Sequence, residues 1–217
     1  CMLGASTRIR EAPRATARTA PTPLANVLRQ PEVIAFFAST ALMVAAHTSL
    51  YVFYSLYLER IGYSKPVIGA MWSLGVTAEI VFFYFQAVVF RRVSPRLVIM
   101  FAFAVAIVRF AMIGAGAGSL PVLVAAQLLH AATFAAHHSA SIMAMQRWFS
   151  GELQARGQAL FISIAYGAGG TVGGLFMAAC WDRIAPEAVY YAAACLSVAG
   201  AGAAALSFRW QAARRVS

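Results

Sequence analysis

The stretch Gln127 to Ser141 reads QLLHAATFAAHHSAS, three histidines and a glutamine inside an otherwise apolar run. At about 100° per residue on an α-helix, Gln127, His130, Thr133, His137, His138 and Ser141 fall within an arc of roughly 140°. Two further residues could meet this polar stripe. Glu79 is the one acid among seven that falls in the middle of an apolar segment, and Arg109 is its basic counterpart. A titratable carboxylate, an imidazole and a permanent cation are the components of a proton relay. Burial and a nearby guanidinium act in opposite directions on a carboxylate's hold on its proton. A change in the spacing of Glu79 and Arg109 could therefore load or release one. The plainer alternative is an ion pair that only fixes helix orientation.

The elements that must position these residues are membrane-spanning helices. With 61% hydrophobic residues and only 11% charged, and a mean hydropathy of +0.72, the chain lies outside the range of water-soluble globular domains. Long apolar runs between short charged loops specify helices, since a transmembrane barrel shows shorter segments of alternating polarity. Six such runs occur, at Val33 to Leu58, Val67 to Phe90, Leu97 to Gly116, Leu120 to Met145, Gly157 to Trp181 and Ala188 to Phe208. Each is near the roughly 20 residues that cross a bilayer. The rise of 1.5 Å per residue puts Glu79 roughly 16 to 20 Å, Arg109 roughly 18 Å and His130 roughly 15 Å from a helix end, so all three can meet at mid-membrane. An uncompensated charge there costs about 2.5 to 3.5 kcal/mol, and Glu79 and Arg109 are expected to pair or to share a wet cavity.

An even number of spans puts both ends on one side. The loops on that side hold Arg8, Arg10, Arg14, Arg18 and Arg29, then Arg91, Arg92 and Arg96, then Arg147 and Arg156, then Arg209, Arg214 and Arg215. The opposite loops hold only Arg60, Lys65 and Arg183. The positive-inside rule then predicts cytoplasmic termini. The expected organisation is a basic, Pro- and Arg-rich cytoplasmic loop at 1–31, a six-helix unit at 32–208 and a short basic tail at 209–217. Residues 1–31 also share the Arg-rich, acid-poor composition of a transit peptide, but they suit better the connection between two halves of a longer protein, of which a chain opening on Cys1 looks like a fragment. The net charge of +10 does not point to nucleic acid, because no basic face is interleaved with stacking aromatics. Cys1, Cys180 and Cys195 give no disulfide framework or CxxC site, and the last two read as small core residues.

Other residues extend the polar line. Trp72, Glu79 and Gln86 repeat every seven residues and share a face of the second span, while His47, Tyr51, Tyr54 and Tyr57 make an aromatic and polar edge on the first. Such a tyrosine stripe is otherwise packing or interfacial belt. The expected substrate cavity is lined by His47, Tyr51, Tyr54, Trp72, Gln86, Gln127 and His137. Of His137 and His138, one is expected to face it and the other to pack. Four imidazoles could instead ligate iron or zinc in an intramembrane enzyme, but no carboxylate accompanies the His137/His138 pair. No metal or other cofactor, and no enzymatic chemistry, is expected. In GAGGTVGG, Gly169 with Gly173 and Gly170 with Gly174 have the spacing that lets helices approach closely. There is no Walker lysine, no GxGxxG register and no preceding strand for a nucleotide loop.

The segments YVFYSLYLERIGYSKPVIGAMWSLGVTAEIVFF, IVRF, AQLLHAATFAAHHSAS, ARGQALF and WDRIAP together resemble the C-terminal half of a major facilitator superfamily transporter of the phenylpropionate permease-like branch, itself similar to lactose permease-type proton symporters. The likeness runs from Pro31 to about Phe208. It implies an all-α membrane protein whose six transmembrane helices form one half of the fold as two inverted three-helix repeats, with substrate between the halves near the midplane. It also implies an N-terminal six-helix half as partner, and a bacterial inner-membrane location is expected. In the lactose permease type an acid, an arginine and a histidine on successive helices take part in proton coupling, and they match Glu79, Arg109 and His130. A second acid one turn after the histidine is replaced here by Thr133. FRRVSPRLV and WDRIAP resemble worn gating loops of the superfamily. The implied function is proton symport of a small organic solute, an aromatic carboxylate on this branch, whose charge Arg109 could attract and whose ring the tyrosines could stack against. A non-transporting scaffold and a dimerising half-transporter are the alternatives from this architecture.

Overall fold

The computed structural model describes residues 24–214, which are helical apart from short connections and contain no strand. Six helices are long and apolar enough to cross a membrane: Pro31–Arg60, Lys65–Arg92, Pro95–Gly116, Leu120–Met145, Gly151–Arg183 and Ala188–Ala213. They are the first to sixth spans below. The expected apolar cores sit inside them, and the helices run a few residues beyond because charged ends are tolerated at the interface. Residues 1–23 and 215–217, most of the expected N-terminal loop and the end of the expected tail, lie outside the described residues. Within that loop Leu24–Leu28 forms a short helix, and the sixth span carries Arg209 inside its last turns.

Helix starts follow local chemistry. The first four spans each carry a proline at their first or second position, where the missing N–H is no loss and φ is already helical. Ser94 also accepts a hydrogen bond from the Leu97 amide at 3.4 Å, an N-cap for the third span. Glu32 and Arg214 form an ion pair at 3.0 Å, and the Ser207 hydroxyl donates to the Glu32 carbonyl at 2.7 Å. These contacts tie the start of the first span to the end of the sixth.

The first span is the most enclosed, with 67% of its apolar window buried, whereas the second is peripheral at 6%. The main neighbours are first with sixth, third with sixth, first with fifth, third with fourth and second with fourth. Exchanging first for fourth, second for fifth and third for sixth maps first–sixth onto fourth–third, first–fifth onto fourth–second, and third–sixth onto itself. This is the contact pattern of two three-helix repeats in an all-α fold of six transmembrane helices, as expected for one half of the major facilitator architecture that the sequence resembles.

Two spans depart from uniform α-helix. The fourth has a π segment, Ala132–Ala136, between α segments Leu120–Leu128 and His137–Met145. The fifth has one at Ile162–Gly169. The glycine spacing in the fifth span serves one row only. A Cβ on Gly169 would lie 2.8 Å from the Ala41 carbonyl oxygen and one on Gly173 2.5 Å from Ala45 Cα, whereas Gly174 has nothing within 4 Å and Gly170 only Val44 at 3.9 Å. The fifth span therefore sits backbone to backbone on the first through Gly169 and Gly173. Cys180 is buried as expected, but Cys195 is exposed on the outer face of the sixth span.

Candidate functional site

The third span delivers Arg109 to the fourth. Its side chain has no exposed surface, and its guanidinium donates from Nε to the Ala126 carbonyl at 2.7 Å, from Nη1 to Thr133 Oγ1 at 3.1 Å and from Nη2 to Gln127 Oε1 at 3.2 Å. All three acceptors are neutral and all lie on the fourth span. Three of its five N–H donors are met in this way.

The second span delivers Glu79. It comes close to the fourth because Gly75 has no side chain: a Cβ there would lie 3.1 Å from Gln127 Oε1 and 3.4 Å from His130 Cδ2. One turn on, Glu79 Oε1 meets His130 Nε2 at 2.6 Å, with the Glu79 side chain 15% exposed and the His130 side chain 5%. Of the two expectations for Glu79 and Arg109, the direct ion pair is not what forms. Arg109 is held by Ala126, Gln127 and Thr133 of the fourth span, while His130 meets the carboxylate directly. A contact of 2.6 Å between a carboxylate oxygen and an imidazole nitrogen requires a proton between them, carried by either atom. His130 Nδ1 is buried without a hydrogen-bond partner.

Thr133 joins these groups to the first span. His47, on that span, is 1% exposed; its Nδ1 lies 2.9 Å from the Met43 carbonyl and its Nε2 3.3 Å from Thr133 Oγ1. The Thr133 hydroxyl is also 3.2 Å from the His130 carbonyl. The His47 and His130 rings are 5.7 Å apart between centroids. Phe134 stacks on both His130 and His138, at 5.6 and 6.3 Å. Glu79, His130, Thr133, Arg109 and His47 therefore form one continuous polar cluster drawn from four spans.

The other expected cavity residues divide. Gln127 and His137 are buried, Gln127 accepting from Arg109 and His137 packing edge-on against Phe103. His137 still borders a narrow cleft with Met43, His47, Tyr51, Phe134 and Tyr166, so it is the histidine of the pair that reaches the cleft. His138 turns to the fifth span, where its Nδ1 meets the Tyr166 hydroxyl at 2.8 Å. Tyr51 is 47% exposed, but Tyr54 and Tyr57 are buried, Tyr57 against Tyr190. Trp72 is half-buried between Tyr51 and Tyr54, its indole N–H donating to Ser55 at 3.0 Å. Gln86, two turns past Glu79, is half-buried and enters none of these contacts. Thr133 belongs to the expected polar stripe, whereas Tyr166 and Phe134 are contributors that residue type alone does not single out; the sequence sign for Tyr166 is a lone tyrosine beside the glycine run. Among the described residues no group of three or more His, Cys, Asp or Glu is placed to hold a metal ion.

The family model described as the MFS_1 like family matches residues 3–192. Among curated proteins the chain is similar to one named "Probable 3-phenylpropionic acid transporter" from Escherichia coli (strain K12), with 34% identity over 132 residues, 61% of this chain and 34% of that protein. The matched stretch thus spans about a third of the relative's length. No solved structure gives a significant match.

Proposed function

The chain belongs to the MFS_1 like family, and from that premise we propose that it works in a secondary active transporter that carries a small organic solute with protons by alternating access. The observation that carries the proton part of this reading is the 2.6 Å contact of Glu79 with His130 at mid-span. A shared proton is held there in the low-dielectric interior, next to a permanent cation that it does not touch. A movement of the second span relative to the fourth separates the two groups and changes what each can hold.

The similar E. coli protein is named for 3-phenylpropionic acid, and an aromatic carboxylate is the substrate class we assign here. Arg109, engaged by three acceptors, acts on such an anion through its field, which the apolar surroundings screen weakly. Tyr51, His137 and Tyr166 around the cleft supply faces for a ring. The peripheral second span and its exposed neighbours fit a second six-helix half across the cavity, and the domain limits at 32–208, the cytoplasmic termini and the inner-membrane location belong to the same proposal. The solute is moved without being chemically changed.

The test is proton flux in liposomes containing the full-length gene product. Adding 3-phenylpropionate to the outside should alkalinise the outer medium, and Glu79→Gln should slow this by at least about tenfold, in the range of a lost proton-transfer group. Proton-coupled uptake that persists at the wild-type rate in Glu79→Gln would reduce the Glu79–His130 contact to a structural tie.

A further inference from the structure

His47 makes two hydrogen-bond contacts that constrain where it can carry protons. A backbone carbonyl only accepts, so the 2.9 Å contact with Met43 places a hydrogen on Nδ1 in either protonation state. Any proton that His47 gains must then go to Nε2, which faces Thr133 Oγ1. The Thr133 hydroxyl has one hydrogen and three neighbours: the Arg109 Nη1 donor at 3.1 Å, the His130 carbonyl at 3.2 Å and His47 Nε2 at 3.3 Å. With Nε2 bare, that hydrogen can serve the imidazole or the carbonyl but not both. With Nε2 protonated, the hydroxyl donates to the carbonyl and accepts from both the imidazolium and Arg109.

Resting on the transport reading above, we propose that His47 is a second proton-binding residue of the transport cycle and that Thr133 passes its state to Arg109. The protonated arrangement satisfies every hydrogen-bonding group around Thr133, but it sets two cations against one oxygen. Charging His47 therefore loosens the Arg109–Thr133 bond and shifts Arg109 onto Gln127 and the Ala126 carbonyl. The groups that face His47 are Arg109 from the third span and His130 and His137 from the fourth, Tyr51 on its own span and Tyr166 of the fifth across the cleft. Glu79 of the second span acts through His130. With the two imidazoles 5.7 Å apart, a second positive charge beside the first is unfavourable. Protons on His130 and on His47 thus exclude one another, and the pair alternates.

The experiment compares proton-driven net uptake of 3-phenylpropionate with exchange of labelled for unlabelled 3-phenylpropionate, which needs no net proton movement, in the full-length protein. His47→Gln keeps a polar side chain that binds no proton; the ratio of net uptake to exchange should fall at least about tenfold. Thr133→Val should show the same split, and Thr133→Ser, which restores the hydroxyl, should recover most of the net uptake. Nitrogen NMR of the His47 ring should show the Nδ1–H form in alkaline buffer and a doubly protonated ring on acidification. Wild-type net uptake in His47→Gln, or an equal loss of both activities, overturns the proposal while the transport reading stands. A wild-type protein that moves no protons with solute overturns both.

Discussion

Arg109 reaches three acceptors at once because a guanidinium is a planar fork, and only a fork can meet a carbonyl, an amide oxygen and a hydroxyl lying to different sides. Arg109→Lys keeps the charge but places it at one point. At least one acceptor is then left buried and unpaired, at about 1 to 3 kcal/mol. The purified variant should unfold at lower temperature than wild type and lose proton-coupled uptake, and a variant matching wild type in both would show that the fork is not used. Glu79, Arg109 and His130 stand out in the sequence because an apolar segment has little reason to contain them. Their pairing does not. Helical period gives each residue a face and a depth, but which face turns to which neighbour depends on the rotation of three helices about their axes, and that is settled by small features such as Gly75 opposite Gln127. The sequence therefore brings the three to one level without choosing between a direct Glu79–Arg109 pair and a shared polar site. Thr133 is missed as a junction for a related reason, since its importance lies in three neighbours from two other spans and its own carbonyl row.

At the scale of helices, the spans are legible almost to their ends, because hydropathy fixes length and proline fixes starts. The π segments are not. ATFAA and ISIAYGAG contain nothing that forbids an ordinary α turn, and the widened turns answer tertiary packing. Four-residue glycine spacing likewise predicts close contact without saying which of two rows makes it. Gly173 makes it and Gly174 does not, which gives a paired test. Gly173→Ala puts a methyl 2.5 Å from Ala45 Cα, backbone that cannot yield, and should destabilise the protein by about 1 to 3 kcal/mol as the first and fifth spans are forced apart. Gly174→Ala meets nothing within 4 Å and gains helix propensity, up to about 1 kcal/mol. Thermal unfolding in detergent should rank the pair in that order, and equal midpoints would mean that the two spans do not meet along the Gly169–Gly173 row. Because that row sits at the end of the π segment carrying Tyr166, Gly173→Ala should also disturb the Tyr166–His138 bond.

Across the whole molecule, the exchange symmetry of the contacts constrains orientation. Two three-helix repeats related by an axis in the membrane plane run in opposite senses, so the start of the first span and the start of the fourth lie on opposite sides. The arginines follow this alternation: Arg91, Arg92 and Arg96 flank the connection after the second span and Arg147 and Arg156 the one after the fourth, while Ser119 and its neighbours between the third and fourth carry no basic residue. If the basic connections are cytoplasmic, a membrane-impermeant maleimide applied to intact cells should label Gly118→Cys but not Val93→Cys, and opening the membrane should expose the second. Both positions are exposed, and a side chain at Gly118 meets nothing within 4 Å, so neither substitution disturbs the fold. The background must first have its native cysteines, Cys1, Cys180 and Cys195 among them, replaced by serine. The reverse pattern would invert the molecule, and the side of the proposed proton uptake would invert with it. Labelling of both from outside would break the helix count itself, since the single third span between the two positions must put them on opposite faces.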